Sequence, residues 1–524
     1  MGPGAERLKP LKTIRRVIAV GTLFFFSLLF LDLNGSLPGD IATGILYFQF
    51  IPSLLKFLSN AGLLTAGFVL VLIMTLLGGR VYCSFLCPLG ISTDVISRLS
   101  SQKMKRKNRY SKPHSFLRYS ILILTIGSLF SGTMVVVNIL DPYSSFGRIM
   151  ALIIKPVFAM FNNGLSRILE MMDIYSVTPY AHHGFPLSVY IFVSLFMLLI
   201  LILAVWKGRL YCNTLCPVGT LLGLFSKVSF LKLHIDPNSC TTCGRCERKC
   251  KSSCIDSNEK YIDLSRCVAC YNCINTCPEN SIGYMKNRKS ATDSGCSESL
   301  NHQRRAFMAL AALVMTGFSK TAFAAKRPVV YVMNKIRVKR EYPITPPGSR
   351  SIANFTNKCT ACYLCVTACP GKVIQPYFAG FGGKGVLMPA MLNKYGYCNF
   401  NCTRCSEVCP TGAILPVKKE EKKQIQIGKV VFIRENCIVI TQKTECGACS
   451  EHCPTKAVYM VVENRLRVPA VKPDICVGCG ACEYACPAIP FKAIYVEGNP
   501  VHLTAEKPKV KKLKQPEGNQ DFMF

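Results

Sequence analysis

The chain has 524 residues; half are hydrophobic, 18% are charged, and 63 basic against 29 acidic side chains give a formal net charge of +34. That length allows several domains of roughly 100–200 residues, and low charge with high apolar content excludes a disordered chain and argues against an ordinary soluble enzyme. Thirty cysteines are too many for packing alone, and all but Cys254 and Cys296 fall into patterned groups.

The first 230 residues hold the apolar runs. Residues 17–31, 57–79, 119–140 and 189–206 contain no charge and read as four membrane spans. The last three are long enough to cross a hydrocarbon core, and Arg15 and Arg16 can snorkel to extend the first. The basic N-terminus (Arg7, Lys9, Lys12) and the basic loop from Arg98 to Arg118 belong on the cytoplasmic side. Both land there if the spans run out, back, out and back. The uncharged stretch 41–55 then becomes a re-entrant or interfacial segment, and 142–186 a second excursion on the outer face. His182 and His183 in that excursion read as a solvated loop pair.

A repeat marks this region. Gly79, Arg80, Tyr82, Cys83, Cys87, Pro88 and Gly90 recur 129 residues later as Gly208, Arg209, Tyr211, Cys212, Cys216, Pro217 and Gly219. Each copy is a C-x3-C-P motif after a returning span, so four cysteines can converge at one depth. They could bind a further iron–sulfur centre, form redox-active disulfides, or simply pack at a structural turn.

Beyond the helices, Cys240, Cys243, Cys246 and Cys250 form C-x2-C-x2-C-x3-C. Cys267, Cys270, Cys273 and Cys277 form it again, ending in Pro278. Three close cysteines grip three corners of an iron–sulfur cubane, and the fourth ligates the neighbouring cluster. Hence Cys277 completes the first set, and Cys250 completes the second, with Cys254 as its competitor. Four further motifs follow: Cys359, Cys362, Cys365, Cys369; Cys398, Cys402, Cys405, Cys409; Cys437, Cys446, Cys449, Cys453; and Cys476, Cys479, Cys482, Cys486. The two irregular groups lie inside the two regular ones, so the expected pairing is nested, first with fourth and second with third. Zinc knuckles do not use triple runs closed by C-P, and cysteines this close in sequence cannot bridge without distorting the backbone. Six [4Fe-4S] clusters are expected, and their thiolates would offset about 12 positive charges. Much of the remaining basic charge flanks apolar runs, which points to membrane topology and not to nucleic acid.

Between the two cluster regions stand Arg304 and Arg305, a short apolar run and Ala322-Phe323-Ala324. They read as a mid-chain twin-arginine export signal or as a fifth, anchoring helix. Either places the following residues outside, and only the first implies cleavage after Ala324. The domain reading is therefore an α-helical membrane domain (1–230), a cytoplasmic two-cluster α+β ferredoxin domain (231–290), the signal or anchor (300–325), a linker (326–350), a periplasmic four-cluster ferredoxin-like domain (351–500) and a basic tail (501–524). No nucleophile–base constellation, phosphate loop or C-x-x-C-H haem motif occurs, so no catalytic residue is expected and the redox chemistry belongs to cofactors.

These motifs carry a family resemblance over nearly the whole chain. The part up to about 290, with its two C-x3-C-P motifs and two-cluster ferredoxin segment, resembles the NapH/MauN membrane iron–sulfur proteins. The part from Arg304 on, with Pro346-Pro347-Gly348 and four cluster motifs, resembles the NapG/MauM periplasmic ferredoxin-type proteins. In that family the two are usually separate subunits; here they look fused. The resemblance implies a quinol dehydrogenase module in the bacterial inner membrane that passes electrons from menaquinol or ubiquinol to a periplasmic reductase. Two other roles fit the residues: a relay from a cytoplasmic low-potential carrier, and electron supply for metalloenzyme maturation or regulation.

Overall fold

The computed structural model describes residues 10–32, 37–59, 62, 65–103, 108–180, 184–286 and 335–507. His182, His183, Cys296, the Arg304–Arg305 pair, the Ala322–Ala324 site and the tail beyond 507 lie outside the described residues.

The regular elements of the N-terminal region, among the described residues, are helices: α1 (Pro10–Leu31), α2 (Gly39–Leu46), α3 (Phe50–Ser59), α4 (Gly67–Gly78), α5 (Tyr82–Phe85), α6 (Pro88–Lys103), α7 (Ser115–Phe130), α8 (Val135–Leu140), α9 (Pro142–Ile149), α10 (Lys155–Glu170), α11 (Leu187–Lys207), α12 (Leu210–Thr214) and α13 (Pro217–Lys227). A π-turn over Met150–Ile154 joins α9 to α10. Among the described residues three helices are long and apolar enough to cross a membrane: α1, the joined Pro142–Glu170 helix and α11. The α2–α3 pair, bent by 107°, is a fourth candidate. That bend agrees with a re-entrant 41–55 segment.

Two of the expected spans are not single helices. In 57–79, α3 stops at Ser59 and α4 begins only at Gly67, with Thr65 bonded back to Gly62 in a turn. In 119–140 the helix breaks after Phe130, where Gly132 takes φ +70°. Conversely, the stretch expected as an outer excursion begins with the 29-residue Pro142–Glu170 helix. Apolar composition alone does not report these breaks, because a glycine in an uncharged run leaves hydropathy almost unchanged.

The two halves of the bundle repeat one plan. α4 leads into α5 and α6 as α11 leads into α12 and α13, and each short middle helix carries the first cysteine of a C-x3-C-P motif. α1 runs the length of the bundle, about 33 Å at 1.5 Å per residue, close to the hydrocarbon thickness of a bilayer.

The ferredoxin domains pack at the two ends of α1. The first is built on the antiparallel pair β1 (Leu231–Ile235) and β4 (Ile282–Lys286), with β2 (Ile255–Asp256) against β3 (Tyr261–Ile262). Its core includes Leu11 from the start of α1. Arg118 is fully buried against it and donates to Ser265 Oγ at 3.2 Å and Ser265 O at 3.1 Å.

The second pairs β5 (Ile374–Pro376) with β6 (Pro389–Met391), β7 (Ile425–Phe432) with β10 (Ile494–Thr504), and β8 (Val458–Glu463) with β9 (Leu466–Val471). It shares a core with Phe30 at the far end of α1. Lys155 Nζ ties the two regions together, donating to Asp32 O and Thr367 O at 3.0 Å each. Asn138 Nδ2 also donates to Val386 O at 3.2 Å.

This domain is larger than 351–500. From 335 on, the expected linker is packed: Asn436 Oδ1 accepts from Ile336 N at 2.8 Å, and Arg340 pairs with the buried Glu483. β10 continues to Thr504.

His502, on β10, bonds Thr345 Oγ1 through Nε2 at 2.8 Å, and burial lowers its pKa to about 4. The unfolded value is near 6.5, so the unfolded chain takes up a proton first as pH falls from 6.5 toward 4. Stability should therefore be full above pH 6.5 and decline across that window, by on the order of 3 kcal/mol. The pH dependence of thermal unfolding in His502→Gln should be flatter than in the parent by this amount; identical curves would show that His502 protonates freely in the fold.

Candidate iron–sulfur sites

In the first ferredoxin domain, Cys240, Cys243, Cys246 and Cys277 line one small cavity, as the spacing requires. Cys267, Cys270 and Cys273 gather with Cys250 in electrostatic reach. Cys254 is also present: its Sγ lies 3.5 Å from that of Cys250, and it bonds Cys267. Both are buried, so the second site has five thiols and either cysteine can close it.

The second domain departs from the nested pairing. Cys398, Cys402 and Cys405 share a cavity with Cys369, and Cys359, Cys362 and Cys365 lie near Cys409. Cys437, Cys446 and Cys449 share a cavity with Cys486, and Cys476, Cys479 and Cys482 lie near Cys453. The trailing cysteines thus swap between neighbours, first with second and third with fourth. The reason is local: the β5–β6 and β8–β9 hairpins each fold one motif back on the next, and short loops close at lower entropic cost than the long ones nesting demands. The eight-residue gap after Cys437 is partly taken up by a helical turn, Ile438–Thr441.

This swap has a direct test. In Cys486→Ser, alkylation of the cluster-loaded protein should reach Cys437, Cys446 and Cys449 and spare Cys359, Cys362 and Cys365. Nested pairing would give the reverse.

These sets suit a cluster better than a single ion. Among the described residues no three Cys, His, Asp or Glu side chains converge closely enough to hold one metal ion. A cubane needs its sulfurs spread around a cavity, which is the arrangement found. Burial raises Cys246 and Cys398 to about 11 and Cys449 and Cys479 to about 12. Such thiols are protonated at neutral pH, so taking a cluster as thiolate ligands releases protons.

The C-x3-C-P motifs meet between the two domains. Cys83, Cys87, Cys212 and Cys216 are all buried and lie in electrostatic reach of one another. Arg80 and Arg209 are wholly buried and reach across the repeat in opposite directions. Arg80 donates to Cys212 O at 3.1 Å and to Asn213 Oδ1 at 3.0 Å, while Arg209 donates to Cys83 O.

Pro88 and Pro217 open α6 and α13 at a position where a missing N–H costs nothing. The preceding sulfurs then accept from backbone amides: Gly90 N to Cys87 Sγ at 3.4 Å, and Gly219 N to Cys216 Sγ at 3.3 Å. The glycines are required: a Cβ at Gly90 would lie 2.6 Å from Cys83 O, and one at Gly219 2.3 Å from Cys212 O. The motif therefore aims two helix N-termini and two guanidinium groups at four sulfurs, a setting that favours anionic ligands.

The neighbours form a series. Ser84 Oγ donates to Val268 O, between Cys267 and Cys270, and Arg80 Nη1 donates to Ser265 O at 2.9 Å. On the other side Tyr211 Oη donates to Leu140 O at 2.9 Å. Tyr143, just beyond, is buried in electrostatic reach of Cys362 and Cys409. Further out, Cys398 N donates to Cys479 O at 2.9 Å, joining the set that Cys398 opens to the set of Cys476, Cys479 and Cys482.

Several of these residues gave no signal in the sequence. Gln49, Asn213, Asp94 and Lys251 lie outside the cysteine motifs or between their ligands. Asp94 is buried under Arg209 at 2.8 Å, Arg15 at 3.0 Å and Lys251 at 3.5 Å. Burial alone would raise its pKa, but those three cations hold the carboxyl well below the usual range.

The family profiles cover most of these residues, although Cys240, Cys243, Cys246, Cys250 and Cys254 fall between the matched segments. A family profile described as "4Fe-4S binding domain" matches 61–107 and 189–236, each containing a C-x3-C-P motif. A "4Fe-4S dicluster domain" profile matches 397–457 and 444–489, and further "4Fe-4S binding domain" profiles match 260–283 and 356–380. YccM of Escherichia coli, whose name assigns it to electron transport, is 24% identical over 40% of this chain and 51% of its own. The ferredoxin-type protein NapH of Haemophilus influenzae is 26% identical over 43% of this chain and 68% of its own. The methylamine utilization ferredoxin-type protein MauN of Paracoccus denitrificans is 27% identical over 33% of this chain and 49% of its own. The chain thus spans only about half the length of two of these relatives. No solved structure matches it. The chain is a homologue of ferredoxin-type electron transport proteins, a membrane protein with several 4Fe-4S domains and, among its described residues, three or four apolar helices.

Proposed function

We propose that this protein carries electrons from the quinol pool through a row of cysteine-bound centres to a reductase outside the membrane. One observation carries the reading: the four cysteines of the C-x3-C-P motifs lie between the two ferredoxin domains, so ligand sets follow one another from end to end. Iron–sulfur clusters bound there supply one-electron transfer between neighbours. The chain's own residues hold the sets in sequence, bury them, and offset thiolate charge at the centre with Arg80 and Arg209. In this reading the 24 cysteines of the ferredoxin motifs hold six [4Fe-4S] clusters, and the central four hold a seventh centre. The first domain faces the cytoplasm and the second the periplasm, on the charge distribution given above. The region from Arg304 on acts as a NapG/MauM-like module fused to a NapH/MauN-like one.

A second reading has its own observation. The row continues past the central site into the first ferredoxin domain, where Cys243 is exposed. A quinol donor entering midway would not need that arm. A reduced ferredoxin or flavodoxin docking there would, and the basic cytoplasmic face would steer an acidic carrier.

Anaerobic addition of menaquinol to the solubilised, cluster-loaded protein separates the two. Bleaching of the iron–sulfur absorbance, abolished by a quinone-site inhibitor, is the expected result. Bleaching only by a reduced low-potential carrier would move the donor to the first domain.

A further inference from the structure

The bent α2–α3 hairpin, with Thr65 and Pro410, lines an open cleft of about 510 Å³. That volume suits one medium-sized organic ligand, since small-molecule sites run to roughly 300–1,000 Å³. Its lining is mixed: Leu46 and Tyr47 supply apolar surface, and Asp40, Thr43 and Lys56 supply a carboxylate, a hydroxyl and an ammonium. The cavity's position is more telling than its size.

At the hairpin's bend, Gln49 is fully buried. Its Nε2 donates to Leu86 O at 3.1 Å, next to Cys87, and its Oε1 accepts from Tyr82 Oη at 3.0 Å, next to Cys83. Pro410, the residue after Cys409, also lines the cleft. Arg404, in the same motif, donates to Leu37 O at 2.9 Å and fixes the second domain against the start of the hairpin. The cavity therefore lies between the central four-cysteine site and the first set of the outer domain. It is lined mainly by the α2–α3 pair, which bends by 107° as a re-entrant segment would.

We infer that this hairpin cavity is the quinol site, which rests on the quinol reading proposed above. A quinol is a flat, membrane-soluble ring with two hydroxyls, and it needs apolar walls, a few polar groups and adjacent electron acceptors. Oxidation breaks two O–H bonds and yields quinone, two protons and two electrons. The two flanking cysteine sets, Cys83, Cys87, Cys212 and Cys216 on one side and Cys359, Cys362, Cys365 and Cys409 on the other, would each hold a one-electron acceptor, so that the two electrons would be taken singly. Asp40, exposed at the cavity, takes the first proton and hands it to water, and the second follows the same way.

Gly44 gives a clean test. It lines the cavity, it is exposed, and a Cβ there meets nothing within 4 Å. A large side chain can therefore fill the space without straining the helix. The cluster-loaded protein in lipid vesicles is illuminated with an azido-menaquinone, and the labelled peptides are mapped by mass spectrometry. Label should concentrate on 39–59, fall at least tenfold in Gly44→Trp and persist in Gly44→Ala, with iron content equal in all three. Menaquinol bleaching, run in parallel, separates the two levels of the argument. Label elsewhere with bleaching intact overturns this site and leaves the quinol donor standing. Absence of both label and bleaching overturns the donor and the site together. Label on 39–59 that Gly44→Trp does not reduce also overturns the site.

Discussion

Serine at both Cys83 and Cys212 is expected to stop electrons passing between the two ferredoxin domains while leaving the clusters of both in place. Serine is close to cysteine in size and can still accept from Arg80, which reaches Cys83 Sγ at 3.8 Å. The other bonds of Arg80 and Arg209 across the repeat, to Asn213 Oδ1 and to the carbonyls of residues 212 and 83, do not involve the replaced atoms, so the helical frame should survive. The hydroxyl is a far poorer iron ligand than a thiolate, and one cysteine is lost from each arm of the repeat. Reduction of the outer clusters after a pulse of low-potential carrier to the first domain should slow roughly 100-fold or more, about 2.7 kcal/mol in barrier terms. The iron and acid-labile sulfide of the six ferredoxin sets should be unchanged. Undiminished transfer would mean that the C-x3-C-P cysteines only pack at a turn. A loss of iron beyond the central site would show that the variant is misassembled, and Cys87→Ser with Cys216→Ser would then carry the comparison.

The second large effect is expected at Asp94. This carboxylate bonds Arg15 on α1, Arg209 in the second repeat arm and Lys251 in the first ferredoxin domain. It links three parts of the chain that are distant in sequence. Removing one partner of a buried ion pair costs about 3–5 kcal/mol, because the remaining charges stay buried without compensation. Asp94→Asn keeps the shape and removes the charge, so it should lower the thermal midpoint markedly in detergent. The same coupling fixes a pH dependence. The unfolded value of an aspartate is near 4, and the folded value is depressed. The stabilisation is therefore present above pH 4 and is lost only as pH falls below it toward the folded value. A variant as stable as the parent at pH 7 would show that solvent already screens this junction.

Much of the redox chemistry was legible without a structure. The triple C-x2-C runs mark candidate cluster ligands because three closely spaced thiolates suit one face of a cubane, and the cysteines of the first domain gather as that spacing predicts. Spacing could not decide the four outer motifs. Their pairing depends on two β-hairpins that fold each motif onto its neighbour, and strand pairing is not encoded in cysteine positions. The same holds for Cys250 and Cys254, which compete because a turn brings both sulfurs to one place.

The helical region divides in the same manner. Its apolar runs and its repeat were plain from composition, since uncharged stretches report partition into lipid whatever their path. Where those runs break or bend depends on glycines and tertiary contacts. So the sequence by itself indicated a ferredoxin-type electron-transport protein, the candidate ligand cysteines and the repeat. The tertiary structure decided the order of the sites, the central meeting of the four repeat cysteines and the cavity beside them. The physical reason is that ligand identity is a property of local chain chemistry. Adjacency of distant ligand sets is set by buried arginines, hairpins and one aspartate whose partners lie up to 157 residues away in the chain.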